Sequence, residues 1–184
     1  MADSTTSSRT AFLRNKIADY LKVGSNFELM GTGFTKLDES PSAQTDSTTY
    51  INEVTSSTDV TGYETEFSYE SDMIASQKAV WALYKVGRDH LIGADAQFEY
   101  VRVELFNPAA TSASSSTKYT ARKFLVACES SDVEGDGGEK IQCSGTLHAI
   151  GDPIIGYFDV SSKTFTEDAT AAGIYDTAAT STGS

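Results

Sequence analysis

The chain has 184 residues, of which 39% are hydrophobic and 10% aromatic. This length and composition fit one folded domain with its own core and argue against a largely disordered chain. No run of about 18 apolar residues is present, so we expect no membrane span, no secretory signal and maturation in a cytoplasm. The formal net charge of −12 argues against a surface that grips nucleic acid, because such surfaces are basic.

The charge is unevenly distributed. Nine acids and no basic residue lie between Lys36 and Lys78, whereas residues 1–36 carry five basic residues and three acids. An acidic stretch of this kind can be a solvated surface. It can also repel a ligand or meet a basic surface on another copy of the chain, and the composition leaves both interpretations open.

The predicted elements begin with an N-terminal arm, residues 1–22. Apolar residues at helix-like spacing over 11–21 indicate a short helix or an arm that packs on a neighbour. A strand is predicted at 26–30. The following GTGFTK lacks the third glycine of a dinucleotide motif and the ending of a P-loop, so it predicts a strand bend or bulge. Residues 37–49 form a long polar segment that we predict to be a loop.

Residues 50–54 and 60–70 are predicted to be strands. A helix should follow, beginning after Ser71 or Asp72 and ending at Gly87. In the second strand one face is apolar and the other acidic; the two sets are Tyr63, Thr65, Phe67 and Tyr69, and Glu64, Glu66, Ser68 and Glu70. The helical face that should pack on a sheet comprises Met73, Val80, Leu83 and Tyr84, with Trp81 on its flank.

Further strands are predicted at 97–106, 118–129, 140–150 and 154–159. The glycine-rich turn between the second and third predicts an antiparallel hairpin, with Cys128 opposite Cys143 and Phe124 opposite Leu147. Two cysteines are too few for a disulfide framework, so we expect buried thiols and leave their pairing open. The main domain is assigned to residues 23–166, and the Ala- and Thr-rich residues 167–184 to a flexible tail.

No pattern of residues predicts a catalytic or metal site. His90 and His148 have no metal-ligand spacing and no neighbouring nucleophile motif. DVEGDG, residues 132–137, resembles the start of a calcium loop, but the twelfth position is Cys143, which cannot supply the carboxylate. We therefore expect no enzyme, no cofactor and no metal. A mainly β domain with one packed helix, long polar loops and extended ends favours a self-assembling structural protein.

Three long stretches resemble one family. They are YLKVGSNFELMGTGFTKLDESPSAQTDSTTYINE, VTGYETEFSYESDMIASQKAVWALYKVGRDHLIGADAQFEYVRVEL and ARKFLVACESSDVEGDGGEKIQCSGTLHAIGDPIIGYFDVSSKTFT. Over roughly residues 20–166 their order and spacing are similar to those of the major tail tube protein of long-tailed, siphovirus-type phages of Gram-positive bacteria.

The resemblance implies a β-sandwich or barrel-like domain with a helix on its side. Six copies would form a ring whose inner sheets join into one β-barrel, and the rings would stack into the tube of a virion tail assembled in the host cytoplasm. Double-stranded DNA would pass through the channel without specific binding. The implied partners are further copies of the chain and the tape-measure, tail terminator and distal tail proteins, with no membrane.

An acidic channel wall would keep DNA phosphates from binding. We expect Glu64, Glu66 and Glu70 to line it, because they share one polar strand face; the outer surface of the tube is the alternative. For contact between rings we expect the loop 37–49, with the basic N-terminal stretch of a neighbouring copy as a possible partner, although the loop could instead lie in solvent. The candidates in this loop are Asp38, Glu39, Pro41, Gln44 and Asp46.

A monomeric β-sandwich carbohydrate-binding module is the second hypothesis, because the strands are rich in aromatic residues and the loops in Ser and Thr. It predicts exposed aromatic side chains that converge on one pocket. An enzyme is the third hypothesis, for which the sequence offers no site.

Overall fold

The computed structural model describes residues 11–110 and 117–176. These residues form mostly β-structure, with a nine-stranded sheet, a separate two-stranded sheet and a helix packed on the larger sheet. The elements are β1 (Ile17–Val23), β2 (Asn26–Leu29), β3 (Phe34–Ser40), β4 (Ala43–Thr48), β5 (Ser57–Tyr63), β6 (Glu66–Asp72), α1 (Lys78–Arg88), β7 (Gln97–Pro108), β8 (Lys118–Glu134), β9 (Gln142–Ala149), β10 (Ile154–Asp159) and β11 (Thr164–Glu167), with 3-10 turns at Arg14–Lys16 and Gly93–Ala96.

Strand β8 joins two branches of the larger sheet. Its first edge pairs with β7, which leads on to β1 and β2. Its second edge pairs with β10 over residues 118–123 and with β9 over residues 126–134. The strand order is therefore β2-β1-β7-β8-β9-β6-β3 in one direction, and β10 and β11 continue from β8 in the other.

Both branches curl. Arg102 on β7 lies 2.8 Å from Glu39 on β3, although β8, β9 and β6 lie between these strands in the sheet. In a flat sheet, strands about 4.8 Å apart would separate the two by roughly 19 Å. In the other branch, the ring of Phe158 on β10 lies 4.5 Å from that of Tyr20 on β1. The two branches thus fold over opposite faces of β1, β7 and β8.

The two faces of the central strands carry separate cores. On one face, α1 and the β9-β6-β3 branch enclose an aromatic cluster in which Phe67 lies 4.6 Å from Tyr100 and 5.0 Å from Phe124. Burying a large apolar side chain of this kind stabilises the fold by about 1.5–3 kcal/mol. The other core lies under β10 and β11 and contains Tyr20, Val101, Val103, Ala121 and Phe158.

The predicted mainly β fold with a packed helix is confirmed, and most strands lie where the alternating pattern placed them. In β6 the predicted alternation holds, since Phe67 and Tyr69 are buried and Glu70 is exposed. The bend predicted at GTGFTK is also present, because the pairing of β3 with β6 shifts register between Phe34 and Lys36.

The helix predicted over 11–21 is wrong. The chain forms a 3-10 turn and then β1, so residues 17–22 of the predicted arm lie in the sheet. Tyr20 and Leu21 are both buried, one in each core. A strand with apolar residues on both faces loses the alternation that identifies strands, and its apolar spacing then imitates a helix. Residues 1–10 and 177–184 of the predicted terminal segments lie outside the described residues.

The predicted loop 37–49 and the strand predicted at 50–54 are wrong as well. The first half of that loop belongs to β3, and residues 43–63 form a hairpin of β4 and β5 with a turn over 49–56. The strand predicted at 60–70 breaks between Tyr63 and Glu66. Neither face of this hairpin is buried. Its sequence therefore lacks the alternation of apolar and polar residues that identifies a strand with one buried face.

The register predicted for the hairpin of β8 and β9 is wrong by four residues. Cys128 lies opposite Leu147, and Cys143 lies opposite Val133. Strand β8 continues to Glu134 and contains a bulge before Val133, which the predicted turn did not allow for. Because four is even, Cys128 still faces the core. Both thiols are free, and burial raises the pKa of Cys128 to about 11.

Helix α1 begins later than predicted. Ser71 is a buried residue of β6, and Asp72 ends that strand with its carboxylate 2.7 Å from Lys140. Both residues belong to the sheet, so neither caps a helix. Met73 therefore lies outside the helix, which begins at Lys78.

The end of α1 also differs from the prediction. His90, with φ of +52°, takes the left-handed conformation that was expected of Gly87. The Leu91 amide donates back to the carbonyl of Val86 at 3.0 Å, which closes the helix end. Gly87 has a different role, because a Cβ there would lie 2.6 Å from the hydroxyl oxygen of Ser130 on β8. The glycine lets the helix approach the sheet.

Candidate functional site

The candidate site has two parts, a sheet face and a projecting hairpin. In β8, β9, β6 and β3 the side chains that point to the core are mostly buried, and their neighbours point outward and are half-buried or exposed. We call the outward side the polar face. By strand register it comprises Lys36, Asp38 and Ser40 on β3, Glu66, Ser68, Glu70 and Asp72 on β6, Gln142, Ser144, Thr146 and His148 on β9, and Ala127 and Glu129 on β8.

Charged groups on the polar face lie in pairs across neighbouring strands. Lys36 Nζ lies 3.2 Å from Glu70. The imidazole of His148 lies between two carboxylates, with Nδ1 3.2 Å from Glu66 and Nε2 2.8 Å from Glu129. The polar face is acidic, and Lys36 and His148 lie close enough to its carboxylates to offset part of their negative charge.

At one edge of the polar face, side-chain hydrogen bonds from Lys140 and Gln142 lower the pKa of Asp72. The same contact raises the pKa of Lys140. This pair therefore remains ionised over a wide pH range, and it adds a second lysine to the face.

Two of the three predicted channel residues, Glu66 and Glu70, lie on the polar face, and Glu64 lies in the link between β5 and β6. Sequence reasoning missed Lys36 and His148, since each comes from another strand and its position depends on the register. The alternation in β9, where Cys143, Gly145 and Leu147 are buried, was the available signal for His148.

The residues predicted for contact between rings separate into three environments. Asp38 is on the polar face, and Pro41 lies at the exposed bend after β3. Gln44 and Asp46 are exposed on β4. Glu39 points the other way, into the protein, because it alternates with the outward Asp38.

The hairpin of β4 and β5 projects from the domain. All of β4 is exposed, as is β5 except for the half-buried Gly62. The turn carries Ile51 and Val54, both fully exposed. An isolated two-stranded hairpin is marginally stable in water, and exposed apolar side chains at its tip are typical of an interaction surface.

A buried ion network fixes β3 where the hairpin leaves it. Glu39 accepts hydrogen bonds from Arg102 at 2.8 Å and from Arg122 at 2.6 Å. Arg102 also donates to Asp19 at 2.8 Å, and Arg14 donates to the other oxygen of Asp19 at 2.7 Å. Strands β1, β3, β7 and β8 are thus tied together at one point.

The ionisation of this network follows from its contacts. Burial alone would raise the pKa of Glu39, but the hydrogen bonds from Arg122 and Arg102 outweigh it and lower that pKa. Burial, and the negative charge of Asp19 beside its hydroxyl, raise the pKa of Tyr100, whose hydroxyl donates to Asp19 at 2.5 Å. The carboxylate of Glu39 is therefore charged and the phenol of Tyr100 neutral at neutral pH.

The helix presents to the sheet a face that only partly matches the predicted one. Trp81 is 42% exposed and packs edge to face on the half-buried Tyr84, with ring centroids 5.7 Å apart. These two rings lie beside the packing face instead of within it. The buried residues of α1 are Ala79, Val80, Leu83 and Val86.

Other kinds of site have little support among residues 11–110 and 117–176. No three metal-ligating side chains there are grouped closely enough to hold a metal ion. Five surface grooves are each lined by at most one aromatic side chain. In the same residues, no helix has both the length and the apolar character needed to cross a membrane.

No protein-family model and no curated protein sequence matches the chain. Its fold is similar to that of a chain in the tail of an empty GTA particle, determined by helical refinement with C6 symmetry. The TM-score is 0.57 and the identity 12%, over 85% of this chain and 99% of that chain. A chain of the six-fold symmetrised baseplate of the anti-feeding prophage aligns with a TM-score of 0.48 and 10% identity, over 80% of this chain and 96% of that chain. The first similarity establishes that the two chains share a fold.

Proposed function

We propose that this chain is a structural virion protein, the subunit of a phage-type tail tube. Six copies form a ring, the rings stack, and double-stranded DNA passes through the channel into the host. The observation that carries the proposal is the fold shared with nearly the full length of a chain from a C6-symmetric tail. It supports a structural role and not an enzymatic one.

The sheet edges support assembly. The branched sheet ends in β2, β3 and β11, and within the part of the chain that the structure describes each of these strands pairs with a single neighbour. Open edges are a liability for a soluble monomer because their backbone groups can pair with other chains. Joining such edges around a ring gives a closed β-barrel, in which no edge remains.

The polar face supplies a suitable channel wall. Each phosphate bound by a basic side chain would add salt-dependent affinity and retard DNA. Five carboxylates stand on this face against two lysines and one histidine, if Lys140 at its edge is included. At physiological salt, screening limits the electrostatic reach of each charge to about 8 Å. The side chains on the channel surface therefore decide how strongly the wall repels DNA.

The channel assignment can be tested by replacing Glu64, Glu66 and Glu70 with lysine. We expect tubes to form and DNA to be slowed or trapped during ejection. A matched variant with glutamine at the three positions removes the negative charge without adding positive charge, and it should retain DNA less than the lysine variant. Unchanged ejection by the lysine variant would contradict the assignment and leave the outer surface as their location.

We also propose that the hairpin of β4 and β5 makes the contact between rings. The Glu64 amide donates to the Ser42 carbonyl at 3.1 Å, so a short turn can replace residues 43–63 without moving β3 or β6. This variant should remain folded, with an unchanged melting temperature, and form rings that do not stack. Tubes of normal length would contradict the role of the hairpin.

The finer parts of the proposal follow the sequence resemblance. We propose that the tube belongs to a siphovirus-type tail of a phage of Gram-positive bacteria and is assembled in the host cytoplasm. The tape-measure protein would occupy the channel before DNA, and the tail terminator and distal tail proteins would contact the two ends of the tube. Co-purification of tubes with a long helical protein inside them would support this order.

A further inference from the structure

We infer that a groove beside the first half of β3 receives the tip of the β4 and β5 hairpin from a second copy of this chain. The inference rests on the proposed function and names the acceptor that the proposal lacks. The groove, here called the seam groove, has a volume of about 320 Å³. It lies between the 3-10 turn at Arg14–Lys16, the end of β2 and the start of β3.

The seam groove is apolar at its base and basic at its rim. Met30, Ile17 and Phe34 are buried or half-buried, and the exposed Arg14 and Lys36 also line the groove. None of the nine lining residues is acidic. An occupant with apolar and acidic side chains fits this composition.

The basic rim retains positive charge despite its internal ion pairs. The ion network contains three arginines and two carboxylates, and Arg14, at its outer end, is 51% exposed. Lys36 contacts Glu70 at 3.2 Å, but both side chains are about half exposed. Lys16, in the adjoining 3-10 turn, is also exposed.

The hairpin has the complementary composition. Residues 43–63 contain three acids and no basic residue, and Ile51 and Val54 extend from the tip. Asp46 and Asp59 lie directly opposite each other across the two strands. Like charges in that position destabilise an isolated hairpin, so a cation placed between them would stabilise it.

The donor and the acceptor lie at opposite ends of one strand. The hairpin leaves β3 at Ser40, which pairs with Glu66, and the seam groove flanks Phe34, which lies opposite Ser71. A molecule with a knob at one end and its groove at the other binds the next copy head to tail. Such a heterologous contact builds an open stack when the rotation between successive copies does not close a ring.

Cysteine crosslinking tests the contact. Asn15→Cys and Ile51→Cys place one thiol in the groove and one on the tip, and the native cysteines Cys128 and Cys143 are buried. With a short bismaleimide, assembled protein that carries both substitutions should give a ladder of covalent multimers. A control that combines Ile51→Cys with Lys85→Cys, on the exposed side of α1, should give no ladder.

Charge exchange gives an independent readout. Asp46→Lys with Asp59→Lys should raise the concentration needed for assembly by about tenfold, and adding Lys36→Glu should recover most of that loss. Glu70→Gln serves as a control, since it releases Lys36 from its internal pair without reversing a charge. It should leave the assembly concentration unchanged or lower it, because the rim then keeps its positive charge without the neighbouring carboxylate.

The outcomes distinguish failure of the seam groove from failure of the proposed function. If the wild-type protein forms tubes, but the variant with Asn15→Cys and Ile51→Cys gives no ladder and Lys36→Glu gives no recovery, the seam groove is overturned while the proposed function stands. A crosslinked dimer without higher multimers overturns the head-to-tail contact. A wild-type protein that never associates overturns the groove and the proposed function together.

Discussion

Strand β3 separates two regions that contain the same kinds of side chain in different surroundings. On its inner side Glu39 lies between Arg102 and Arg122, in a network closed by Asp19. On its outer side, acidic and basic side chains pair on the polar face, where both partners are accessible to water. The inner pairs hold the curled sheet together. The outer pairs are expected to contribute little to the stability of the fold.

The largest expected effect comes from breaking the inner network. Arg102→Met keeps most of the side-chain volume but removes the buried donor that Asp19 and Glu39 share, so each carboxylate loses one of its two arginine partners. We expect the free energy of unfolding, measured in urea, to fall by about 3–5 kcal/mol. Lys36→Met on the outer side is the matched control and should cost less than about 1 kcal/mol. Equal losses would remove the distinction between the two sides.

A second prediction compares the domain with the hairpin. A Cβ at Gly145 on β9 would lie 2.3 Å from the Glu129 carbonyl and 2.6 Å from the Tyr69 hydroxyl, so Gly145→Ala should lower the free energy of unfolding by about 1–3 kcal/mol. At Gly62 in the hairpin nothing lies within 4 Å of the added carbon. Gly62→Ala should leave the melting temperature unchanged, and a similar loss for both variants would mean that the hairpin packs on its own domain.

The pH dependence of stability gives a third comparison. The pKa of Glu39 in the folded protein lies below its ordinary value of 4.5. Its contribution is therefore fully present above about pH 4.5 and is lost as the pH falls through the folded pKa. In Glu39→Gln, the free energy of unfolding should change less steeply below about pH 4.5 than in wild type. If the free energy of unfolding falls equally steeply with decreasing pH in both proteins, the arginine contacts do not favour the charged form of Glu39.

The smallest effect is expected on the polar face. Glu66→Gln removes one partner of His148 and leaves Glu129, and exposed pairs contribute about 0–1 kcal/mol. We expect a change in melting temperature close to the error of a calorimetric scan. A loss comparable to that of Arg102→Met would show that the polar face supports the fold instead of being free for another task.

Parts of the fold were predictable because one buried face leaves a visible alternation. Strands β6 and β10 have this property, and both were predicted. Strand β1 was not, since Tyr20 and Leu21 enter different cores and both of its faces are apolar. The hairpin was not predicted for the opposite reason, as neither of its faces is buried.

The candidate site was harder to predict from the sequence than the fold. The polar face depends on the register of four strands, and the pairs of Lys36 with Glu70 and of His148 with Glu66 join residues far apart in sequence. Glu39 was nearer to being predictable. It shares its parity with the buried Leu37, so reading residues 34–40 as a strand would have pointed it inward.

The central claim is that this chain works by assembling into a hollow tube, and electron microscopy of the concentrated full-length protein tests it most directly. The account predicts tubes whose end-on views show six subunits around an open channel, with the polar face on the channel wall. A protein that stays monomeric at every concentration and salt condition, or that forms solid fibres without a channel, would contradict it.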